Sequence, residues 1–275
     1  MSMVTGLPSQ ARLRSGVCWL IASAAKRASP SRINQLGTRP KAGVLDDQGQ
    51  LWIAKFPGRN DDRDIGAWEL VTSELARVAG VTISDSIVQT FGRPHHTFLT
   101  KRFDRTTSGR GRQRQHFASA MTMLGYRDGD DHQPGASYLE IAEWIIQNQL
   151  ETDEDLAQLW RRIVFSIIVS NTDDHLRNHG FLLTDRGWRL SPAYDLNPDP
   201  QGTGLSLNIS EIDNALSFDL AREVAPYFRV DTDLASMIID QERASVSQWR
   251  NVASRLGINR SEPNRMKSAF RFCGQ

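Results

Sequence analysis

The sequence has few cysteines, no excess of charge of one sign and no hydrophobic run long enough to cross a bilayer. Its two cysteines, Cys18 and Cys273, lie near opposite ends of a chain of 275 residues. That arrangement argues against a disulfide framework or a structural zinc site and is typical of a reducing compartment. Thirty-three Lys and Arg against 32 Asp and Glu give a formal net charge of +1, so total charge does not favour nucleic acid as a partner. We therefore expect a cytoplasmic protein.

The most hydrophobic stretch near the N-terminus, residues 17–25, follows Arg12 and Arg14 and ends in small residues. A secretory signal is one interpretation of this stretch, because signals combine a basic start, an apolar core and a small-residue end. The stretch is far shorter than the roughly 20 residues that span a membrane. We favour a short buried helix, within a segment 1–30 that we leave unassigned.

The order of the predicted elements indicates an α+β fold. Residues 43–56 predict a strand, a turn and a strand, residues 66–79 an amphipathic helix ending near Gly80, and residues 97–100 a further strand. A polar stretch, 105–116, is interpreted as a loop. Beyond it the pattern is mainly helical, with helices at 138–149, 153–169 and around Trp249, and with a hairpin at 181–190.

The polar cluster at 171–180 is the most informative part of the chain. It places Asp173 five residues before Asn178, which is the D-x-x-x-x-N spacing of a kinase catalytic loop. In such a loop the aspartate accepts the proton of the attacking hydroxyl and the asparagine oxygen binds magnesium. The alternative is that these polar residues only cap and turn the chain.

A second carboxylate, Asp195, follows the predicted hairpin at the position where a kinase places its metal-binding aspartate. Carboxylate and amide oxygens are suited to Mg²⁺ or Mn²⁺. Zinc binding by His175 and His179, four residues apart, is a further alternative, although no helix with a glutamate between them is evident.

Lys55 ends a predicted apolar strand, where a kinase lysine contacts the nucleotide phosphates and pairs with a glutamate of the next helix. Glu69 is the partner that we predict. The alternative is a solvated lysine at the edge of a sheet.

Several segments in the same order resemble the HipA-like kinases, between about residues 37 and 200. They are Leu36–Ala42, Trp52–Phe56, Trp68–Glu69, Lys101–Arg105, Asn171–Asn178 and Leu190–Leu196. The resemblance implies a bilobed protein kinase-like fold, with a small β-rich lobe and hinge at 31–104 and a helical lobe at 105–275. It implies that ATP and Mg²⁺ bind between the lobes, with Asp173 as general base and Asn178 and Asp195 as magnesium ligands. The other nucleotide-binding residues implied by it are Gly37, Thr38, Arg39, Lys41, Lys55, Glu69, Lys101, Arg102, Phe103 and His175.

The resemblance also implies partners. Relatives phosphorylate serine or threonine of a protein, with aminoacyl-tRNA synthetases as targets, and bind a HipB-like DNA-binding antitoxin. Asn34 occupies the place of a serine that becomes autophosphorylated in relatives, and from the resemblance we expect their N-terminal subdomain to be missing. A small-molecule kinase and a catalytically weak module that binds an antitoxin are therefore alternatives.

The arginines of 105–116 have two interpretations. Arg105, Arg110, Arg112 and Arg114 lie among glycines with no acidic residue between them, and such a stretch attracts nucleic acid or an acidic partner. The alternative is a solvated loop, because no aromatic residues alternate with the arginines.

Overall fold

The computed structural model describes residues 39–92, 94–108, 111–133, 135–149 and 151–274. Segment 1–38 lies outside the described residues, and with it the predicted helix at 17–25, Asn34, Gly37 and Thr38. The strands are β1 Lys41–Leu45, β2 Leu51–Lys55, β3 Ser86–Gln89, β4 Thr97–Lys101, β5 Arg105–Ser108, β6 Gly111–Arg114, β7 His116–Ser119, β8 Gly180–Thr184 and β9 Gly187–Leu190. The α-helices are α1 Ile65–Val78, α2 Ala120–Leu124, α3 Tyr138–Asn148, α4 Thr152–Val169, α5 Phe218–Val224, α6 Thr232–Val246, α7 Trp249–Arg255 and α8 Glu262–Met266.

An antiparallel sheet of order β1-β2-β4-β3 forms the N-terminal part of the described chain. Asp46 closes the β1–β2 turn, because its carboxylate accepts hydrogen bonds from Gln50 N–H at 2.8 Å and from the Trp52 indole at 2.9 Å. Gly49 has φ of 75°, a left-handed conformation that glycine adopts without steric cost. The hairpin predicted at 43–56 is thus confirmed.

Helix α1 packs against the sheet on one side and against the C-terminal helices on the other. Its first turn is capped by Asp64, whose carboxylate accepts the Ala67 N–H at 3.2 Å. Trp68 contacts Trp249 and Phe270, with ring centroids 6.0 Å away in both cases. The helix that carries Glu69 is therefore held by residues almost 200 positions later in the sequence.

The stretch 105–116 is not the loop that we predicted. β5 and β6 form an antiparallel hairpin, with Arg105 opposite Arg114. β7 then pairs with β8 in a three-stranded sheet of order β7-β8-β9. The prediction failed because these strands lack the alternation of apolar and polar residues by which a half-buried strand is recognised.

Helix α4 runs through the interior of the C-terminal part. Leu159, Trp160, Ile163 and Ile167 are fully buried there, as the apolar pattern predicted. Ser170 ends the helix in a left-handed conformation with φ of 50°, and the polar cluster begins at the next residue. Within the described residues, no helix is long and apolar enough to cross a membrane.

Candidate functional site

A cleft of about 810 Å³ lies between the N-terminal sheet and the polar cluster. Its walls bring together segments that are far apart in the sequence: the sheet, helix α1, the segment after β4, the polar cluster and the residues around Asp195. The residues predicted for the site that line the cleft are Arg39, Lys41, Lys55, Glu69, Lys101, Arg102, Phe103, Asp173, His175, Asn178 and Asp195.

Lys55 lies at the centre of a charge network. Its Nζ donates to Glu69 Oε1 at 2.5 Å and to Asp195 Oδ1 at 2.7 Å. Burial alone lowers the pKa of an ammonium group, but the charges of Glu69 and Asp195 outweigh this effect and raise the pKa of Lys55 above its usual range. The lysine is thus held positively charged, and the predicted pairing with Glu69 is present.

Asp195, which accepts a hydrogen bond from Lys55, adopts an unusual backbone conformation. Its φ is 61°, in the left-handed region that aspartate tolerates better than most residues. Asn197 Nδ2 donates to Asp195 Oδ1 at 2.9 Å, and Lys41 Nζ lies 3.8 Å from Asp195 Oδ2. Burial raises the pKa of this carboxyl, but Lys55 and Lys41 outweigh burial and hold the pKa well below its usual range. Sequence reasoning missed Asn197, although its position two residues after Asp195 is visible in the sequence.

Asp173 and Asn178 face the same cleft from the polar cluster, residues 171–180, which we name the catalytic loop after its predicted role. Asn178 Nδ2 donates to the Asp173 carbonyl at 2.9 Å, so the amide oxygen of Asn178 is the atom that this bond leaves unused. Partial burial raises the pKa of the Asp173 carboxyl, and Asp195 adds to this effect while His175 and Lys41 oppose it. Asp173 is exposed and lines the cleft.

Asp174 anchors the catalytic loop in the protein interior and was not among the predicted site residues. It is 2% exposed. Its carboxylate accepts from the Tyr138 hydroxyl at 2.7 Å and from Ser166 Oγ at 3.3 Å, and His179 Nε2 lies 3.2 Å away. Burial raises the pKa of Asp174, but His179 and these hydrogen bonds outweigh it and lower the pKa. We call these four residues the Asp174 anchor.

The anchor holds the chain neighbours of both predicted site residues of the loop, because Asp174 follows Asp173 and His179 follows Asn178. The two histidines considered for zinc make different contacts: His179 faces Asp174, whereas His175 Nε2 lies 2.9 Å from Arg177 Nη2. They do not share one α-helix, since a 3₁₀ turn, Leu176–Asn178, separates them.

The segment after β4 closes the far end of the cleft. Lys101 N–H donates to the Asp85 carbonyl at 2.8 Å and Arg102 N–H to the Leu51 carbonyl at 2.9 Å. Among the contacts of the described residues, neither the Phe103 N–H nor the Asp104 N–H of this segment donates a hydrogen bond. The Phe103 ring lies 5.7 Å from that of Tyr194, so an apolar surface adjoins these donors.

Arg39 lies just before β1, and Lys41 is the first residue of this strand. Arg39 Nη2 forms an ion pair with Asp61 Oδ2 at 3.2 Å. The predicted phosphate-covering loop begins at Gly37 and Thr38, which lie outside the described residues, so its geometry stays a prediction.

The donor atoms of the cleft suit a hard cation. Asp195 and Asp173 supply carboxylate oxygens and Asn178 supplies an amide oxygen, which is the ligand chemistry of Mg²⁺. Lys55 and Lys41 supply positive charge beside these oxygens, and a ligand that carries both phosphate and a divalent cation matches such a mixture.

Comparisons with known proteins identify the family of this chain. A family model described as HipA-like C-terminal domain matches residues 34–269. A protein of Haemophilus influenzae, named as a candidate kinase, is 29% identical over 146 residues, which cover 48% of this chain and 42% of that protein. A second protein with such a name, from Sinorhizobium fredii, is 28% identical over 222 residues, covering 74% and 52%. The serine/threonine-protein kinase toxin HipA of Shewanella oneidensis is 28% identical over 146 residues, covering 46% and 33%. The chain thus spans about half or less of the length of these relatives.

Solved structures extend the likeness to the fold. The Shewanella oneidensis HipA, solved with HipB and operator DNA, superposes with a TM-score of 0.71 at 17% identity, covering 88% of this chain and 64% of that one. The kinase CtkA of Helicobacter pylori gives a TM-score of 0.56 at 13% identity, covering 85% and 94%. These likenesses confirm the predicted α+β, protein kinase-like architecture. Because the family model covers most of its length, this chain belongs to the HipA-like C-terminal domain family.

Proposed function

We propose that this protein is an ATP- and Mg²⁺-dependent serine/threonine protein kinase of the HipA type. The observation that carries the proposal is the convergence of three elements on one cleft: the Lys55–Glu69 ion pair, the Asp195 carboxylate and the Asp173–Asn178 loop. Each of them alone is common in proteins, but phosphoryl transfer needs all three in one place.

Each charged group has a role in this chemistry. Lys55, held positive by Glu69, binds the nucleotide phosphates. Asp195 and Asn178 would hold Mg²⁺, which when bound neutralises phosphate charge. Asp173 orients the acceptor hydroxyl and takes its proton, and its raised pKa makes it a better proton acceptor than an ordinary aspartate. Catalysis then rests on positioning and on charge stabilisation, as in other phosphoryl transfers.

The biological role that we propose follows from the named relatives. The Shewanella oneidensis relative is named as a kinase toxin, and its structure was solved with HipB and operator DNA. By that likeness we propose a cytoplasmic toxin with a HipB-like antitoxin, acting on a translation component such as an aminoacyl-tRNA synthetase. A purified HipB-like protein that fails to bind this chain would contradict the antitoxin part alone.

The experiment that tests the enzymatic proposal is transfer of labelled γ-phosphate from ATP to bacterial lysate proteins, with Mg²⁺ and with EDTA. Asp173→Asn should lower transfer by about 10²–10⁴-fold, since a positioned base contributes about that much. Asp240→Asn is the matched control, because Asp240 is exposed on α6 and does not line the cleft.

Asp195→Asn supplies an independent arm, and it should abolish the difference between Mg²⁺ and EDTA. Thermal denaturation of each variant separates lost chemistry from lost folding. Transfer by Asp173→Asn at the wild-type rate would remove the assigned base. ATP binding without transfer by the wild type would favour a binding module instead.

A further inference from the structure

A second cavity, of about 470 Å³, adjoins the catalytic loop. Thr172 lines this cavity, whereas the next residue, Asp173, lines the cleft. Consecutive residues of the loop therefore line the two spaces.

The outer wall of this cavity is the segment 199–206, which follows the metal-binding Asp195 along the chain. Three hydrogen bonds fix this segment to its surroundings: Thr172 Oγ1 donates to Asp199 Oδ2 at 3.1 Å, Ser206 Oγ donates to the Thr172 carbonyl at 2.7 Å, and Arg271 Nη2 donates to the Gly202 carbonyl at 2.9 Å. The segment is thus held in register with the catalytic loop.

Gly202 shows how close the two segments are. A Cβ at this position would lie 2.3 Å from Thr172 Cγ2 and 2.7 Å from Thr172 Oγ1, so only glycine allows the approach. The shape of the cavity is therefore built into the backbone of the wall.

The lining is mostly polar, and its one carboxylate is that of Asp131, which lies 3.8 Å from His132 Nδ1. The described residues that form it are Asp131, His132, Thr172, Gln201, Gly202, Thr203, Gly204, Leu205, Ser206 and Asn214, among which there is no lysine or arginine. Two exposed acidic residues, Glu211 and Asp213, lie on the turn that follows Asn208. Asn208 Nδ2 donates a hydrogen bond to the carbonyl of the lining residue His132 at 3.0 Å. Such a surface favours a ligand with a positive charge and hydrogen-bonding groups.

We propose that this cavity is the acceptor subsite of the kinase: it binds the polypeptide segment next to the acceptor hydroxyl, with a basic side chain near Asp131. The inference rests on the proposed function. A polypeptide suits the geometry because the ligand has to fill the cavity and also reach Asp173 around the catalytic loop. A compact small molecule satisfies one of these conditions only.

The test uses serine and threonine peptides that differ only in carrying Lys, Ala or Glu beside the acceptor. Thr203→Trp places a bulky side chain in the cavity, at an exposed residue whose hydroxyl makes no hydrogen bond among the described contacts. Ser254→Trp, exposed on α7, is the control. We expect the fold-increase in KM for the peptides on Thr203→Trp to be at least about ten times larger than the fold-change in the rate of ATP hydrolysis by water. A tenfold difference corresponds to about 1.4 kcal/mol of lost binding free energy.

Asp131→Asn tests the charge. The 2.9 Å hydrogen bond from Gln133 N–H to Asp131 Oδ1 survives this change, so the loop is retained while the charge is lost. We expect the preference for Lys peptides over Glu peptides to fall at least about fivefold relative to the Asp240→Asn control, in line with loss of one close charge pair.

The outcomes separate the two proposals. If the wild type transfers phosphate to peptides and Thr203→Trp behaves like Ser254→Trp, the subsite is wrong and the kinase proposal stands. Transfer to free serine or another small hydroxyl compound that is as efficient as transfer to any peptide also overturns the subsite. If the wild type turns over ATP with neither water nor any peptide, the proposed function fails, and the subsite with it.

Discussion

Removing one hydroxyl from the Asp174 anchor should destabilise the protein and slow catalysis together. Tyr138 is fully buried, and its hydroxyl donates to the buried Asp174 carboxylate at 2.7 Å. Hydrogen bonds to charged groups contribute about 1.5–3 kcal/mol. Tyr138→Phe keeps the ring and its edge contact with His179, so the loss is confined to this one bond.

The expected fall in melting temperature follows from that free energy. For a domain of about 150–250 residues or somewhat more, 1 kcal/mol corresponds to roughly 2–4 °C, so Tyr138→Phe should melt on the order of 5 °C lower than the wild type. Because Asp174 directly follows Asp173 in the chain, we also expect kcat to fall about tenfold, which corresponds to an activation free energy about 1.4 kcal/mol higher.

The assay is thermal denaturation of the full chain, paired with phosphoryl transfer at a temperature at which the variant is fully folded. Tyr227→Phe is the control, since Tyr227 is 63% exposed. A Tyr138→Phe protein that melts within about 1 °C of the wild type would refute the stabilising role. A normal kcat in a destabilised variant would show that the anchor supports the fold without positioning the loop.

Two further changes test other buried groups. Glu262→Ala should lower the free energy of unfolding, measured in urea, by about 2–4 kcal/mol, because two buried donors lose their common acceptor. These donors are Asp64 N–H, at 3.0 Å from Glu262 Oε2, and the Trp68 indole N–H, at 2.8 Å. Glu262→Gln keeps an acceptor oxygen and should retain most of this stability, so equal stabilities of the two variants would contradict the prediction. Burial raises the pKa of Glu242 well above its usual range, so the folded state retains this proton at a pH where the unfolded chain releases it. The contribution of Glu242 to stability therefore falls as pH rises from about 4 towards neutrality. Glu242→Gln removes that dependence and should gain stability over the wild type between about pH 4 and 7, unlike the exposed control Glu223→Gln.

Local features of this protein are readable in its sequence because they depend on neighbours along the chain. The β1–β2 hairpin follows from its turn residues, and helix α4 follows from its apolar periodicity. The spacing of Asp173 and Asn178 is a property of one short loop, and the order of the motifs was enough to identify the family. The hairpin β5–β6 was missed because its stabilising partners are backbone groups, which leave no periodic signal in side chains.

The tertiary structure alone decided which charges meet and what holds them. Lys55 and Asp195 are 140 positions apart, and Trp68 and Glu262 are 194 apart; no local pattern records such pairs, since they arise from the packing of whole elements. Asp173 and Asp174 are adjacent and chemically identical in the sequence. Packing exposes the first to the cleft and buries the second against Tyr138 and His179, and this difference in environment separates the proposed base from the anchor that positions it.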